Sequence, residues 1–219
     1  MNDMSDARAR IEHLPLIGGA LCLDFANTTG WRPDPRGAEY VHDYEDLIAW
    51  AEHGGALEPG EARKLLRAAK AEPEHAQAVH RRAIALREAV YRVFSGAASG
   101  RGAAAADVDL INRSIGDAYQ HLRLAPRDGA FAWEWHDAEG ALELPLWRVA
   151  QSAASLLISP DLRRVRECSG ENCDWLFVDE SKNHSRRWCD MTTCGNRAKA
   201  RRNYARRRQA VDRPREKRP

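Results

Sequence analysis

The sequence predicts a mainly α-helical (α+β) fold, in which a helical N-terminal domain with a small β-hairpin precedes a small C-terminal module with a basic helix. Three observations support this prediction. Apolar residues recur at three- and four-residue steps over much of the first 160 residues, a two-residue period interrupts them near residue 131, and four cysteines gather near the C-terminus. A chain of 219 residues is long enough for one medium domain and a small second one.

The N-terminal domain is predicted to consist of helices joined by short loops. The predicted helices run from Asp43, a good N-cap, to Gly54, over Pro59–Ala71, Glu74–Ser95 and Asp107–Leu124, and from Pro145 to Leu157. The clearest is Glu74–Ser95, where Val79, Ala83, Leu86 and Val90 follow the helical period. Glycine and alanine over 96–105 predict a linker, and prolines over 31–37 predict a loop.

Two regions have the two-residue period of strands. Leu21, Leu23 and Phe25 alternate with their neighbours after a glycine pair, so we expect a short strand or extended segment there. Residues 131–135 and 141–144 also alternate, and turn-forming residues separate them. This second pattern predicts a β-hairpin.

Four cysteines near the C-terminus form two matched pairs. Cys168 and Cys173, like Cys189 and Cys194, are separated by four residues. Thiolates supplied as two short-spaced pairs are typical of a tetrahedral zinc site, and four of them leave no position for water, so we expect one structural zinc ion. Two disulfides are the alternative, which we consider weaker in a chain of this size.

The cysteine pairs enclose a predicted hairpin and precede a basic helix. Residues 175–178 and 186–188 are predicted to be its strands, which suggests a treble-clef-like zinc fold. Between Arg197 and Arg208 there are seven cations and no acidic residue. We predict that nine cations contact nucleic acid: Arg197, Lys199, Arg201, Arg202, Arg206, Arg207 and Arg208 on the helix, with Arg186 and Arg187 on the hairpin. The alternative is a solvated charged end without a partner.

Charge divides the chain into unlike parts. Residues 161–219 carry 17 Lys+Arg and 9 Asp+Glu, a net charge of +8, whereas residues 1–160 carry 17 and 23, a net charge of −6. We therefore predict a helical domain over 1–160, a zinc module with its basic helix over 161–210, and a disordered tail over 211–219. An acidic body with a basic module is expected when one part meets a polyanion.

Several classes of protein are disfavoured. Residues 1–10 are polar and lack the apolar segment of a signal peptide, and no run of about 20 apolar residues suits a membrane span. No nucleophile motif, P-loop or dinucleotide fingerprint is present. We expect a cytoplasmic protein that is not an enzyme.

Three polar residues of the N-terminal domain are candidates for a ligand site. Asp24 and Asn27 lie in an otherwise apolar segment, and Arg32 follows closely. They could line a small-molecule pocket. The alternative, which we favour for Asp24 and Asn27, is that these side chains cap a helix or satisfy backbone groups.

The C-terminal sequence closely resembles a known family. The string RRWCDMTTCGNRAKARRNYARRR over Arg186–Arg208 resembles the CGNR zinc finger, whose name matches residues 194–197. The segment LCLDFANT over 21–28 is similar to the ABATE domain that usually precedes this finger in bacterial proteins. The resemblance implies a stress-related transcription regulator whose finger binds DNA.

Our leading hypothesis is therefore a zinc-dependent, DNA-binding transcription regulator that associates with the nucleoid. We expect double-stranded DNA as its partner, with a small-molecule effector and a second copy of the chain as further candidates. One alternative is an RNA-binding zinc protein, because arginine-rich helices also read RNA by shape. Another is an enzyme with an accessory zinc finger.

Overall fold

The computed structural model describes residues 11–32, 34 and 37–211, and for 209–211 it describes the backbone alone. The predicted tail thus lies outside the described residues except for residue 211, which ends a helix. The elements are α1 (Leu21–Ala26), α2 (Tyr44–His53), α3 (Pro59–Ala71), α4 (Pro73–Ser99), α5 (Ala105–Gln120), β1 (Leu122–Arg127), β2 (Ala130–Trp135), α6 (Leu144–Leu157), a 3₁₀ helix (Pro160–Arg164), β3 (Val165–Glu167), β4 (Leu176–Val178), a π-helical turn (Met191–Gly195) and α7 (Asn196–Val211). The predicted mainly helical fold is confirmed.

The long helix α4 is the centre of the N-terminal domain. It contacts the other helices of the domain and also β3 and β4. Its buried residues include Val79, Ala83, Leu86 and Val90, as the helical period predicts. Beside it, the rings of Phe25 and Trp50 lie 4.6 Å apart. Apolar burial of this kind is the main source of the domain's stability.

Two helix starts are those that the sequence predicts, whereas the end of the long helix is not. Asp43 caps α2, since its side chain accepts a hydrogen bond from the backbone N–H of Asp46. Pro145 lies in the first turn of α6, as predicted. Helix α4 continues to Ser99, into the predicted linker, because Ser95 and Gly96 are buried against the rest of the fold.

The prediction of an extended segment at Leu21–Phe25 is wrong. These residues belong to helix α1. Cys22, Leu23, Phe25 and Ala26 are all buried, so the segment contacts protein on more than one side. A two-residue alternation carries little information in so short and so thoroughly buried a segment.

The predicted hairpin exists, but its strands are assigned incorrectly. Residues 131–135 lie in the second strand, β2, and pair with β1, in a register that places Leu122 opposite Trp135. Residues 141–144 form no strand and lead into α6. The actual turn is Asp128–Gly129, where both residues have positive φ, 51° and 79°. This left-handed Asp-Gly pair is the turn that short hairpins prefer.

The base of the zinc module is part of the main core. Strand β3 pairs with β4, so residues 186–188 do not form the predicted returning strand. Val165, Leu176 and Val178 belong to the same buried cluster as the helices of the N-terminal domain.

Among the described residues, no helix is long and apolar enough to span a membrane.

Candidate zinc centre and nucleic-acid interface

The structure brings the four predicted cysteines to one point. Their Sγ atoms all lie within 4.8 Å of one another. Cys189 Sγ is 3.6 Å from that of Cys173 and 3.7 Å from that of Cys194. In a tetrahedral site with Zn–S bonds of about 2.3 Å, neighbouring sulfurs are about 3.8 Å apart. The cluster therefore has the size that one zinc ion requires.

Each cysteine is positioned by a different piece of the finger. Cys168 follows β3, Cys173 precedes β4, Cys189 lies in a loop and Cys194 lies in the turn before α7. The backbone N–H groups of Gly170 and Cys189 each lie 3.3 Å from Cys168 Sγ, to which they donate. A Cβ at position 170 would lie 3.1 Å from Cys194 Sγ, so a glycine lets the backbone pass close to the sulfurs.

The thiols of this cluster perturb one another strongly. Hydrogen bonds from Cys173 and then Cys189 lower the pKa of Cys168 to about 2. The side-chain hydrogen bond with Cys168 in turn raises the pKa of Cys189. Four thiolates this close repel one another unless a cation lies among them, and metal ligation deprotonates thiols outright. The chemistry of the donor set thus matches zinc.

A buried aspartate organises the loop between the cysteine pairs. Asp179 accepts hydrogen bonds from the backbone N–H and hydroxyl of Ser181, at 2.9 and 2.6 Å, and from the backbone N–H of Arg186, at 2.9 Å. Burial raises the pKa of Asp179, but these hydrogen bonds lower it below the ordinary value overall. The carboxylate therefore holds the loop that leads back to Cys189.

The two predicted cations of this loop have different surroundings. Arg186 is half-buried; its guanidinium lies 4.3 Å from the centre of the Phe177 ring and donates to the carbonyls of Trp188 and Cys189. Two of its five N–H donors are thus used within the finger. Arg187 is exposed and lies 5.4 Å from the ring of Trp188. It remains available for a phosphate.

The seven predicted cations of α7 are all exposed. The main packing contact of this helix is with the turn before it. From position 199 to 208, every side chain is exposed, so all faces of this part of the helix are exposed. Arg201 forms an ion pair of 3.0 Å with Glu171, and both side chains are largely exposed. Such a pair contributes little free energy and competes weakly with a polyanion.

The polar candidates of the N-terminal domain lie at the junction with the finger. Asn27 donates to the carbonyl of Leu176 at 2.9 Å and accepts from its N–H at 2.8 Å. Asn27 is buried, and its amide satisfies both backbone groups of a residue in β4. Nearby, Trp175 Nε1 donates to the carbonyl of Thr29 at 2.9 Å. Sequence reasoning missed this junction.

Asp24 and Arg32 are also used by contacts within the protein. Asp24 accepts from the N–H of Gly18 at 2.7 Å, and burial raises the pKa of Asp24 to about 6. The Nε of Arg32 donates to the carboxylate of Glu88 at 3.0 Å, and its guanidinium carbon lies 3.7 Å from the centre of the Tyr91 ring. The backbone N–H of Arg32 donates to the carboxylate of Asp174 at 2.8 Å. Asp24 thus satisfies a backbone group, which is the interpretation that we favoured from the sequence. The small-molecule role stays a prediction.

Three described cavities are lined by other residues. A cavity of about 580 Å³ lies between the start of α2 and the facing ends of α3 and α4, where His42, Lys70 and His80 line it. Two others, of about 380 and 330 Å³, flank the loop between β2 and α6. None of these three is lined by Asp24, Asn27 or Arg32.

Comparison with protein families identifies both parts of the chain. Residues 19–160 match the ABATE family, described as "Putative stress-induced transcription regulator". Residues 164–207 match the CGNR zinc finger. No curated protein matches the chain.

The finger match agrees with the cluster of Cys168, Cys173, Cys189 and Cys194, so the predicted single structural zinc ion is confirmed. The ABATE match covers more than half of the 219 residues. The chain therefore belongs to the ABATE family and carries a zinc-binding CGNR finger behind the family domain.

Proposed function

We propose that this protein regulates transcription by binding double-stranded DNA through α7. The observation that carries the proposal is the charge of this helix. Seven cations and no acidic residue lie between Asn196 and Arg208, and all seven cations are exposed. Because like charges repel, the helix gains free energy beside a polyanion, and phosphate contacts dominate the affinity of proteins for DNA.

The dimensions of α7 suit the major groove. Its 16 residues span about 24 Å, and the groove of B-DNA, about 12 Å wide, admits one helix. Arg197, Arg201 and Arg208 share one face, while Lys199 and Arg202 lie on another. One face can therefore approach base edges while the other contacts phosphates.

Zinc supports this function by holding the start of the helix. Cys194 lies in the turn that leads directly into α7, and that turn is the main packing contact of the helix. The other three ligands connect the turn to β3 and β4, which lie in the core. Zinc would thus fix the direction in which the basic helix leaves the body.

The proposal contains no catalytic step and no small-molecule effector. Four thiolates complete the coordination of zinc and leave no position for a reacting water. Asp24 and Asn27 are occupied by hydrogen bonds to backbone groups, so their contacts do not support an effector site. If DNA binding is correct, a fluorescently tagged protein will localise to the nucleoid.

A pair of matched variants tests the proposal. Arg202→Gln/Arg206→Gln removes two charges one turn apart on α7, and Arg63→Gln/Arg67→Gln removes two exposed charges with the same spacing on α3. Fluorescence anisotropy with a DNA duplex, over a range of salt concentrations, gives the affinity and its salt dependence. We expect the α7 variant to bind at least about tenfold more weakly and its salt slope to fall by about 2, since each phosphate contact contributes about 0.9.

The control variant should bind as the unmodified protein does. If both variants bind DNA equally well and with the same slope, α7 is a solvated helix and the proposal is wrong. A structured RNA hairpin that displaces the duplex at equal salt would favour the RNA-binding alternative.

A further inference from the structure

One face of the β1–β2 hairpin is entirely apolar. The register places Leu122, Leu124 and Pro126 of β1 opposite Trp135, Trp133 and Phe131 of β2. Since neighbouring residues of a strand point to opposite faces, these six side chains share one face, here called the apolar hairpin face. The charged residues Arg123 and Glu134 form a 3.5 Å ion pair on the other face.

The inner end of the apolar hairpin face is covered and its outer end is not. At the inner end, Trp135 stacks on Trp147 of α6 at 6.1 Å. Further out, Leu124, Trp133 and Phe131 are 58%, 54% and 73% exposed. Tyr119 of α5, itself 44% exposed, lies edge-on to Trp133 at 6.3 Å and extends the apolar surface.

This surface is large enough for a specific interface. With full areas of about 150–250 Å² for an aromatic side chain, and a similar area taken for Leu124, the four exposed fractions correspond to about 340–570 Å² of apolar surface. That lies within the range of about 300–600 Å² in which the largest patch of a monomer is often functional. Two copies joined through it would bury about 700–1,100 Å² from these side chains alone, a range that includes the lower limit of about 1,000 Å² for a biological interface.

We propose that the apolar hairpin face is a homodimer interface, covered by the same face of a second copy of this chain. A twofold contact places equivalent residues near one another, so a charged face would repel itself. The apolar hairpin face has no charged residue, because the charges of the hairpin lie on its other face and at its tip. It can therefore pair with itself.

The tip of the hairpin disfavours a lipid bilayer as the occupant. Arg127, at the end of β1, and Asp128, in the turn, are both charged and exposed. Inserting the aromatic residues into lipid would bring these charges to the bilayer with them, which costs free energy. A second copy leaves the same turn in water. The inference does not depend on DNA binding, since it uses no residue of the finger.

Two neighbouring substitutions test the interface. Phe131→Glu places a charge on the apolar hairpin face, whereas Ala130→Glu places the same charge on the opposite face of the same strand, at another exposed position. Sedimentation equilibrium of the full, zinc-loaded chain measures the monomer–dimer constant. We expect the unmodified protein and Ala130→Glu to dimerise equally, and Phe131→Glu to dimerise at least about a hundredfold more weakly.

A second variant guards against a folding defect. Leu124→Glu changes the facing strand and should weaken the dimer in the same way, while circular dichroism and zinc content confirm that each variant is folded. A protein that is monomeric at about 100 µM, or a dimer that neither substitution weakens, overturns the proposal. Co-sedimentation of a monomeric protein with phosphatidylcholine/phosphatidylserine vesicles, lost in Phe131→Glu, would overturn it in favour of lipid.

Discussion

The two sides of the zinc finger are held in different ways. On the side of β3 and β4, Val165 and Leu176 lie in the core of the N-terminal domain, and Asn27 satisfies both backbone groups of Leu176. On the other side, α7 extends into solvent with all its described side chains exposed from position 199 onward. One finger thus joins a buried anchor to an exposed helix.

The two sides of the finger therefore have different structural roles. The buried side keeps the finger in a constant orientation relative to the domain, because hydrogen bonds and apolar contacts cross the junction. The exposed side leaves every cation of α7 accessible. An isolated helix of this length is only marginally stable in water, so α7 depends on the zinc-bound turn from which it starts. Each prediction below acts on one side of the finger or on the N-terminal domain beside it.

Removal of zinc should have the largest effect. Structural zinc contributes on the order of 10 kcal/mol to folding in small zinc modules. We expect chelation, or Cys189→Ser, to release the loop from Asp179 to Cys194 and to unfold α7, while α4 and its neighbours persist because their core does not contain the cysteines of the cluster.

Hydrogen exchange with mass spectrometry, beside metal analysis, checks this expectation. Exchange should rise in the finger and in α7 and stay low in α4. Full zinc occupancy in Cys189→Ser, or loss of protection over the whole chain, would show that the two sides are not separable.

Asn27→Ala should destabilise the buried side. It leaves the N–H and the carbonyl of Leu176 unpaired in the core, and each unsatisfied buried group costs about 1–3 kcal/mol. We expect the free energy of unfolding, measured with urea, to fall by about 2–6 kcal/mol. Asn112→Ala, at an exposed position of α5, is the control and should change it by less than about 0.5 kcal/mol.

Asp24→Asn should alter the pH dependence of stability. Burial raises the pKa of Asp24 to about 6, so the native state binds a proton more readily than the unfolded chain does. The stabilisation from this site is complete below about pH 4 and is lost as the pH rises through 6. We therefore expect the free energy of unfolding of the variant, minus that of the unmodified protein, to increase from pH 4 to pH 6 by roughly 2–3 kcal/mol at most. Above pH 6 this difference should stay constant.

Denaturant unfolding of both proteins at several pH values measures this difference. Taking the difference cancels the titration of the cysteines and the other carboxylates. A gap between the two proteins that does not change from pH 4 to 7 would show that Asp24 titrates normally.

Tyr204→Ala should have the smallest effect. Tyr204 lies on α7 and is 66% exposed. Substitutions at such positions usually change stability by less than about 0.5 kcal/mol. We expect urea unfolding and zinc content to be unaltered. If the free energy of unfolding fell as much as in Asn27→Ala, α7 would have to pack against the rest of the protein in solution. The two sides of the finger would then not differ in exposure.

The sequence by itself determined the features that depend on local spacing. The zinc site follows from two cysteine pairs with matched separation, and the basic helix from a run of cations without acids. Helix α4 follows, as far as Ser95, from the apolar period over Glu74–Ser95, a length at which chance periodicity is rare. In each case the signal lies within one short segment, so no knowledge of distant neighbours is needed.

Only the tertiary structure decided how these segments meet. Helix α1 could not be distinguished from a strand, because its residues are buried against partners from distant parts of the chain. Asn27 and Leu176 are 149 residues apart, so no local pattern reveals that one satisfies the other. The exposure of Phe131 and Trp133 likewise depends on how far the hairpin extends beyond α5 and α6. Burial and long-range hydrogen bonds are properties of the folded chain as a whole, and they decide these features.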